Sequence, residues 1–165
     1  MKNIFSSLVV AALLQLASNA YAFEPGIRTA SYTTSLKTVQ LSVVTPSDAP
    51  HTAAEHIYLL KAENTSDKTL SFTITANNIN CGAKLAADLQ ATVYEDAFAT
   101  NSTNTLNLHS IPAHGSVQFY VKLLKPQDTP LKTSNCMEIK AVQGKNILSD
   151  GIIIESYIPD PKDFR

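Results

Sequence analysis

Thr69-Leu70-Ser71-Phe72-Thr73-Ile74-Thr75 decides the fold, because Leu70, Phe72 and Ile74 alternate with hydroxyl residues without a break. In an extended chain successive side chains point to opposite sides, so this stretch predicts a strand with one face in a core and one in water. Ser116-Val117-Gln118-Phe119-Tyr120-Val121-Lys122-Leu123 repeats the pattern and sends Val117, Phe119, Val121 and Leu123 to one side. Residues 38–44 do the same through Val39, Leu41 and Val43, and weaker versions occur at Leu89, Ala91 and Val93 and at Leu106 and Leu108. Phe72, Ile74, Phe119 and Val121 are the expected centre of the core.

Working outward, Ile57-Tyr58-Leu59-Leu60 and Ile152-Ile153-Ile154 are apolar on both faces, which predicts strands in the middle of a sheet or beneath a covering loop. The punctuation agrees. Asn64-Thr65-Ser66-Asp67-Lys68 supplies the polar, turn-prone residues of a hairpin connection, and Pro112-Ala113-His114-Gly115 and Ser149-Asp150-Gly151 each stand just before a strand pattern. The prolines at 46, 50, 126 and 130 fall outside the strand patterns, where a missing N–H breaks no ladder. Residues 83–89 have helix formers but neither the length nor the caps of a stable helix. About eight or nine short strands separated by polar turns predict an all-β fold, an immunoglobulin-like or fibronectin-like two-sheet sandwich.

The run from Leu60 to Phe72, with its Asn64-Thr65-Ser66-Asp67 turn, resembles a hairpin of exported bacterial immunoglobulin-like modules. Ile111-Pro112-Ala113-His114-Gly115-Ser116-Val117-Gln118-Phe119 resembles a later turn of such modules, where a Pro-x-x-Gly step leads into a strand. The resemblance implies a superfold and carries no functional residue across. The chain contains no tryptophan, which disfavours an antibody-like domain with its buried Trp.

At the start of the chain Lys2 supplies a positive charge, an apolar run follows from Ile4 to Leu16, and Ala20-Tyr21-Ala22 places small residues where a signal peptidase cuts. This is the layout of a cleaved secretory signal over residues 1–22, too short in its apolar part to span a bilayer comfortably. Residues 23–165 then form one domain, since 165 minus 22 leaves 143 residues, enough for a hydrophobic core. The formal charge is −1, and −2 once Lys2 is lost. So small a balance with no basic cluster gives no reason to expect nucleic acid or insertion into a membrane. The expected location is the periplasm or the extracellular space.

Such a compartment permits disulfides, and the two cysteines, Cys81 and Cys136, lack any CxxC spacing. They read as one structural bridge. Cys81 follows one strand pattern and Cys136 precedes another, so the bridge is expected at strand ends, clamping one end of the sandwich.

Chemistry-bearing patterns are sparse. His51/His56 and His109/His114 share a spacing of five and are the one place where loops could assemble a metal site; ordinary loop histidines are the expectation. No Gly-x-Ser-x-Gly elbow or glycine-rich phosphate loop occurs. Glu95, Asp96, Glu138 and Glu155 sit beside polar or turn residues and read as solvated charge. The dispersed acids Asp48, Glu55, Asp67, Asp88, Glu95 and Asp96 form no calcium loop. Asn64-Thr65-Ser66 and Asn101-Ser102-Thr103 satisfy the glycosylation rule and predict exposed turns, and the polar run from Phe98 to Thr105 predicts a surface loop.

The expected function is therefore a non-catalytic exported module with no cofactor and no metal, binding a protein or glycan partner in the envelope or serving a structural role there. The alternative is an assembly chaperone that holds client strands against an open edge at residues 116–123. A histidine-based metal protein is a third reading.

Overall fold

A computed structural model describes residues 27–30, 37–82, 86–96, 103–160 and 162. The signal layout at 1–22 lies outside these residues, as do most of the polar run 98–105 and the acceptor Asn101.

The described residues form ten strands: β1 (Ile27–Ala30), β2 (Val39–Thr45), β3 (Glu55–Asn64), β4 (Leu70–Ile79), β5 (Gln90–Tyr94), β6 (Thr105–Ile111), β7 (Ser116–Leu124), β8 (Thr133–Gln143), β9 (Asn146–Ile147) and β10 (Gly151–Ile158). They make two antiparallel sheets. The first has the order β1-β10-β8-β4-β6 with β9 added to β8, and the second has the order β2-β3-β7-β5. The two-sheet sandwich expected from alternation is the observed fold.

The period-two patterns place the core. Phe72 and Ile74 of β4, Leu108 of β6, Met137 and Ile139 of β8 and Ile152 and Ile154 of β10 face Tyr58, Leu60, Phe119, Val121 and Leu123 of the other sheet, all of them buried. Burying each such side chain stabilises the fold by about 1.5–3 kcal/mol, which is why these patterns dominate local propensity.

The two doubly apolar segments behave differently from expectation on one count. β3 and β10 are interior strands, each paired on both sides. Only their inward residues are covered, however: Ile57 on the outer side of β3 is 42% exposed.

The segment 64–69 is not a hairpin connection. β3 and β4 belong to different sheets, so the chain crosses between layers there. A hairpin and a crossover demand the same polar, turn-prone residues, so composition could not separate them. The Pro112–Gly115 turn is as expected, closed by the Gly115 N–H donating to the Pro112 carbonyl at 3.0 Å. A Cβ on Gly115 would stand 3.0 Å from Pro112 Cδ and 3.1 Å from the Pro112 carbonyl oxygen, which explains the glycine.

Candidate functional site

β3 separates the two histidine pairs. His56 lies at its start and Asn64 at its end, and the Asn64 N–H donates to the Gly115 carbonyl beside His114. Eight residues of extended chain at about 3.3 Å each put His56 and His114 some ~25 Å apart. The histidines therefore occupy opposite ends of the sandwich, and the four-histidine assembly does not exist. Among the described residues no three His, Cys, Asp or Glu side chains come together as a metal site.

At the first end the loop 46–54 folds back over the start of β3. Ser47 Oγ and His56 Nδ1 are 3.3 Å apart, and the Ala49 N–H donates to the same hydroxyl at 3.3 Å. Burial pushes the His56 imidazole below its ordinary value, and the charges of His51 and Lys125 add to the effect, while a backbone bond at Ala53 opposes it. Burial pushes the Tyr58 phenol up, and a side-chain hydrogen bond with Ser156 of β10 opposes the effect. Ser47, His51, His56, Tyr58, Ser156 and Tyr157 line a recess of about 20 Å³. A space of that size has room for about one water.

At the other end His114 Nε2 meets Asp67 Oδ1 at 3.0 Å, with both side chains largely in solvent. Such a pair contributes about 0–1 kcal/mol. His109 on β6 is exposed.

Cys81 and Cys136 form a disulfide. The bridge lies at one end of the sandwich as expected, but one part of the expectation is corrected, the position of Cys136 at a strand end. Cys136 lies inside β8, 2% exposed, and pairs in register with Ile79 at the end of β4. The bridge thus staples the end of β4 to its neighbour β8 within one sheet.

Asn64 also overturns its reading. It is 0% exposed and cannot accept a glycan in the folded protein. Its Nδ2 donates to the carbonyls of Lys68, Ile111 and Pro112 at 2.7, 3.1 and 2.8 Å, and its Oδ1 accepts from the Ser66 N–H and Oγ–H at 3.0 and 2.7 Å. Sequence shows an Asn in a turn; only the fold shows a side chain tying three segments together. Glu138 is not a solvated charge either: its side chain is 12% exposed and pairs with Lys140 at 2.8 Å on the outer side of β8. Glu95 and Asp96 are exposed, as expected.

Residues 116–123 offer no open edge. β7 is paired by β3 on one side and β5 on the other, so the template expected for strand addition is occupied.

What sequence reasoning missed is the outer face of the four-stranded sheet. In register, Leu59 of β3 stands opposite Tyr120 of β7, which stands opposite Tyr94 of β5. The Tyr94 and Tyr120 rings stack with centroids 5.5 Å apart and planes 17° apart. Burial, with Glu55 and Tyr120 nearby, pushes the Tyr94 phenol up. Toward the His56 end the row continues to Ile57, and Leu124 lies diagonally beyond it, 42% and 37% exposed. An ion pair between Lys122 Nζ and Glu55 Oε2 at 3.5 Å crosses this patch, and Lys61 with Glu63 at 2.8 Å borders it. The signal was the doubly apolar Ile57-Tyr58-Leu59-Leu60, which predicts burial on both sides and instead leaves one side in solvent.

No family model and no curated protein matches the chain. Among solved structures it is similar to a FixG-related protein from Vibrio parahaemolyticus, with 12% identity, a TM-score of 0.45, and coverage of 74% of this chain and 97% of that chain. Among the described residues no helix is long and apolar enough to cross a membrane.

Proposed function

We propose that the chain is an exported, non-catalytic β-sandwich module that works by contact, in the periplasm or outside the cell, with a protein or glycan of the envelope as partner. The observation that carries this reading is the outer face of the four-stranded sheet. There Ile57 and Leu124 stay exposed beside Leu59 and the stacked tyrosines, whereas the outer face of the other sheet sets Thr73, Thr75, Asn77, Glu138 and Lys140 among Val142, Ile147 and Ile153. Apolar and aromatic groups gathered on one face, rimmed by charge, are the composition of a contact surface. Export is supported by the three-part layout of residues 1–22 and agrees with the Cys81–Cys136 bridge.

The test is capture from envelope extract with the immobilised protein, alongside Ile57→Asp. A partner held by the wild type and lost by the variant is the expected result. Capture that ignores this substitution, or turnover of an envelope substrate, would overturn the reading.

A further inference from the structure

The patch on the four-stranded sheet has three properties that together select its partner: shape, area and charge. The face is a sheet surface carrying side chains at strand spacing, the same kind of surface that this chain already packs against itself in its interior. β3 and β7 pair over nine positions, from Glu55↔Leu124 to Glu63↔Ser116. At about 3.3 Å per residue and about 4.8 Å per strand, β2, β3, β7 and β5 with their seven, ten, nine and five residues offer roughly 500 Å². Two such faces would bury about 1,000 Å², the size of a weak, transient interface.

Charge decides between partners. The face carries two cations, Lys61 and Lys122, and two anions, Glu55 and Glu63, joined in pairs. A partner selected by charge would meet one sign; a face balanced in this way complements a copy of itself, because a two-fold axis sets each residue against the same patch. With a formal net charge of only −2 once Lys2 is lost, two copies do not repel strongly.

We infer that the outer face of the four-stranded sheet is a self-association surface, on which two copies of this chain stack face to face about Ile57, Leu59, Tyr120 and Leu124, with Lys122 and Glu55 exchanging partners across the axis. The inference rests on the reading of this face as a contact surface and names a second copy as its occupant. The association is weak, as its area requires, and is driven by removal of Ile57 and Leu124 from water.

Sedimentation equilibrium of the purified protein between about 1 μM and about 1 mM tests it. The mass should rise from one chain toward two across that range. Ile57→Asp should raise the dissociation constant at least tenfold with the circular dichroism unchanged, whereas Ile147→Asp, at an equally exposed isoleucine on β9, should leave association as it is. Lys122→Glu should weaken association, and Lys122→Glu with Glu55→Lys should restore it. A single-chain mass at the highest concentration, or association that survives Ile57→Asp, overturns the inference. If the protein stays single-chain yet loses an envelope partner on Ile57→Asp, the self-association fails while the contact-surface reading stands.

Discussion

The two ends of the sandwich are closed by different means. At one end a single side chain, Asn64, ties the 64–68 crossover to the end of β6 and the Pro112 turn, with every polar atom of its amide engaged. At the other end the work is divided. The Cys81–Cys136 bridge staples β4 to β8, and a pair of amides pins the segment before β5: Asn135 donates to the Ala87 carbonyl at 2.7 Å and to Asn78 Oδ1 at 2.6 Å, while Asn78 both donates to and accepts from the Leu89 backbone at 2.9 and 3.2 Å. Here satisfaction is incomplete, since the buried Asn135 Oδ1 has no partner among the described residues. The saturated hub stands at the end without the bridge, and the orphaned acceptor stands at the end that has it.

The largest effect expected from this contrast is loss of the bridge. A closed span with a sequence separation of 55 stabilises the fold by about 4 kcal/mol on chain-entropy grounds. Cys81→Ala with Cys136→Ala should lower stability to denaturant by roughly that amount and should raise hydrogen exchange first at β5 and the segment leading into it. Protection lost equally at the Asn64 end would show that the two ends are one cooperative unit and break the comparison.

Asn64 comes next. Asn64→Ala leaves the Lys68, Ile111 and Pro112 carbonyls and the Ser66 N–H without their partner, and the expected loss is about 3 kcal/mol, read from urea unfolding. Asn64→Asp sharpens the test, because it keeps the shape and removes the donors, turning a carboxylate oxygen toward carbonyl oxygens. It should be at least as damaging near neutral pH. A loss below about 1 kcal/mol in both variants would mean that the crossover holds itself.

The contrast also explains what could be read from the residues alone. Alternation at Leu70, Phe72 and Ile74 and at Val117, Phe119 and Val121 located strands and core, because burial imposes period two on any strand with one wet face. Sheet membership could not be read, since 64–69 serves a crossover with hairpin-like residues. The role of Asn64 was hidden for the same reason: its partners at 111 and 112 are 47 and 48 positions away. The bridge was legible as a pairing, with two cysteines and one possibility, but its place inside β8 depended on a strand that begins earlier than the apolar pattern, at Thr133. The histidine spacing suggested proximity that the length of β3 forbids. The exposed apolar side of β3 was written in Ile57-Tyr58-Leu59-Leu60, yet a doubly apolar strand in sequence does not say whether its second face meets protein or water.

Asn135 should matter less than Asn64 although both are buried. Asn135→Ala removes two donated bonds and also removes the unpartnered Oδ1, whose desolvation already counts against the fold. A loss of about 1–2 kcal/mol is expected, and Asn135→Leu should be milder than Asn135→Ala if the site has room for the added carbons. A loss equal to that of Asn64→Ala would show that the orphaned acceptor does not weaken its end.

The smallest effect is acid sensitivity confined to the disulfide end. His56 sits against Ser47, Tyr58 and the charges of His51 and Lys125, and its folded pKa lies below the ordinary 6.5 of the unfolded chain, chiefly through burial. Between those two values the unfolded state binds more protons, so stability rises with pH. The contribution is complete above about 6.5 and is lost as the pH falls through that value to the folded one. His56→Gln should flatten the difference in stability between pH 7.5 and pH 5 relative to wild type, measured by urea unfolding at each pH. His51→Gln should flatten it in part, because it removes a like charge that disfavours protonated His56. The loop 46–54 should be the segment whose hydrogen exchange rises on acidification, since the imidazole contacts Ser47 within it. An acid slope unchanged in His56→Gln would place the sensitivity elsewhere and leave the two ends alike in their response to protons.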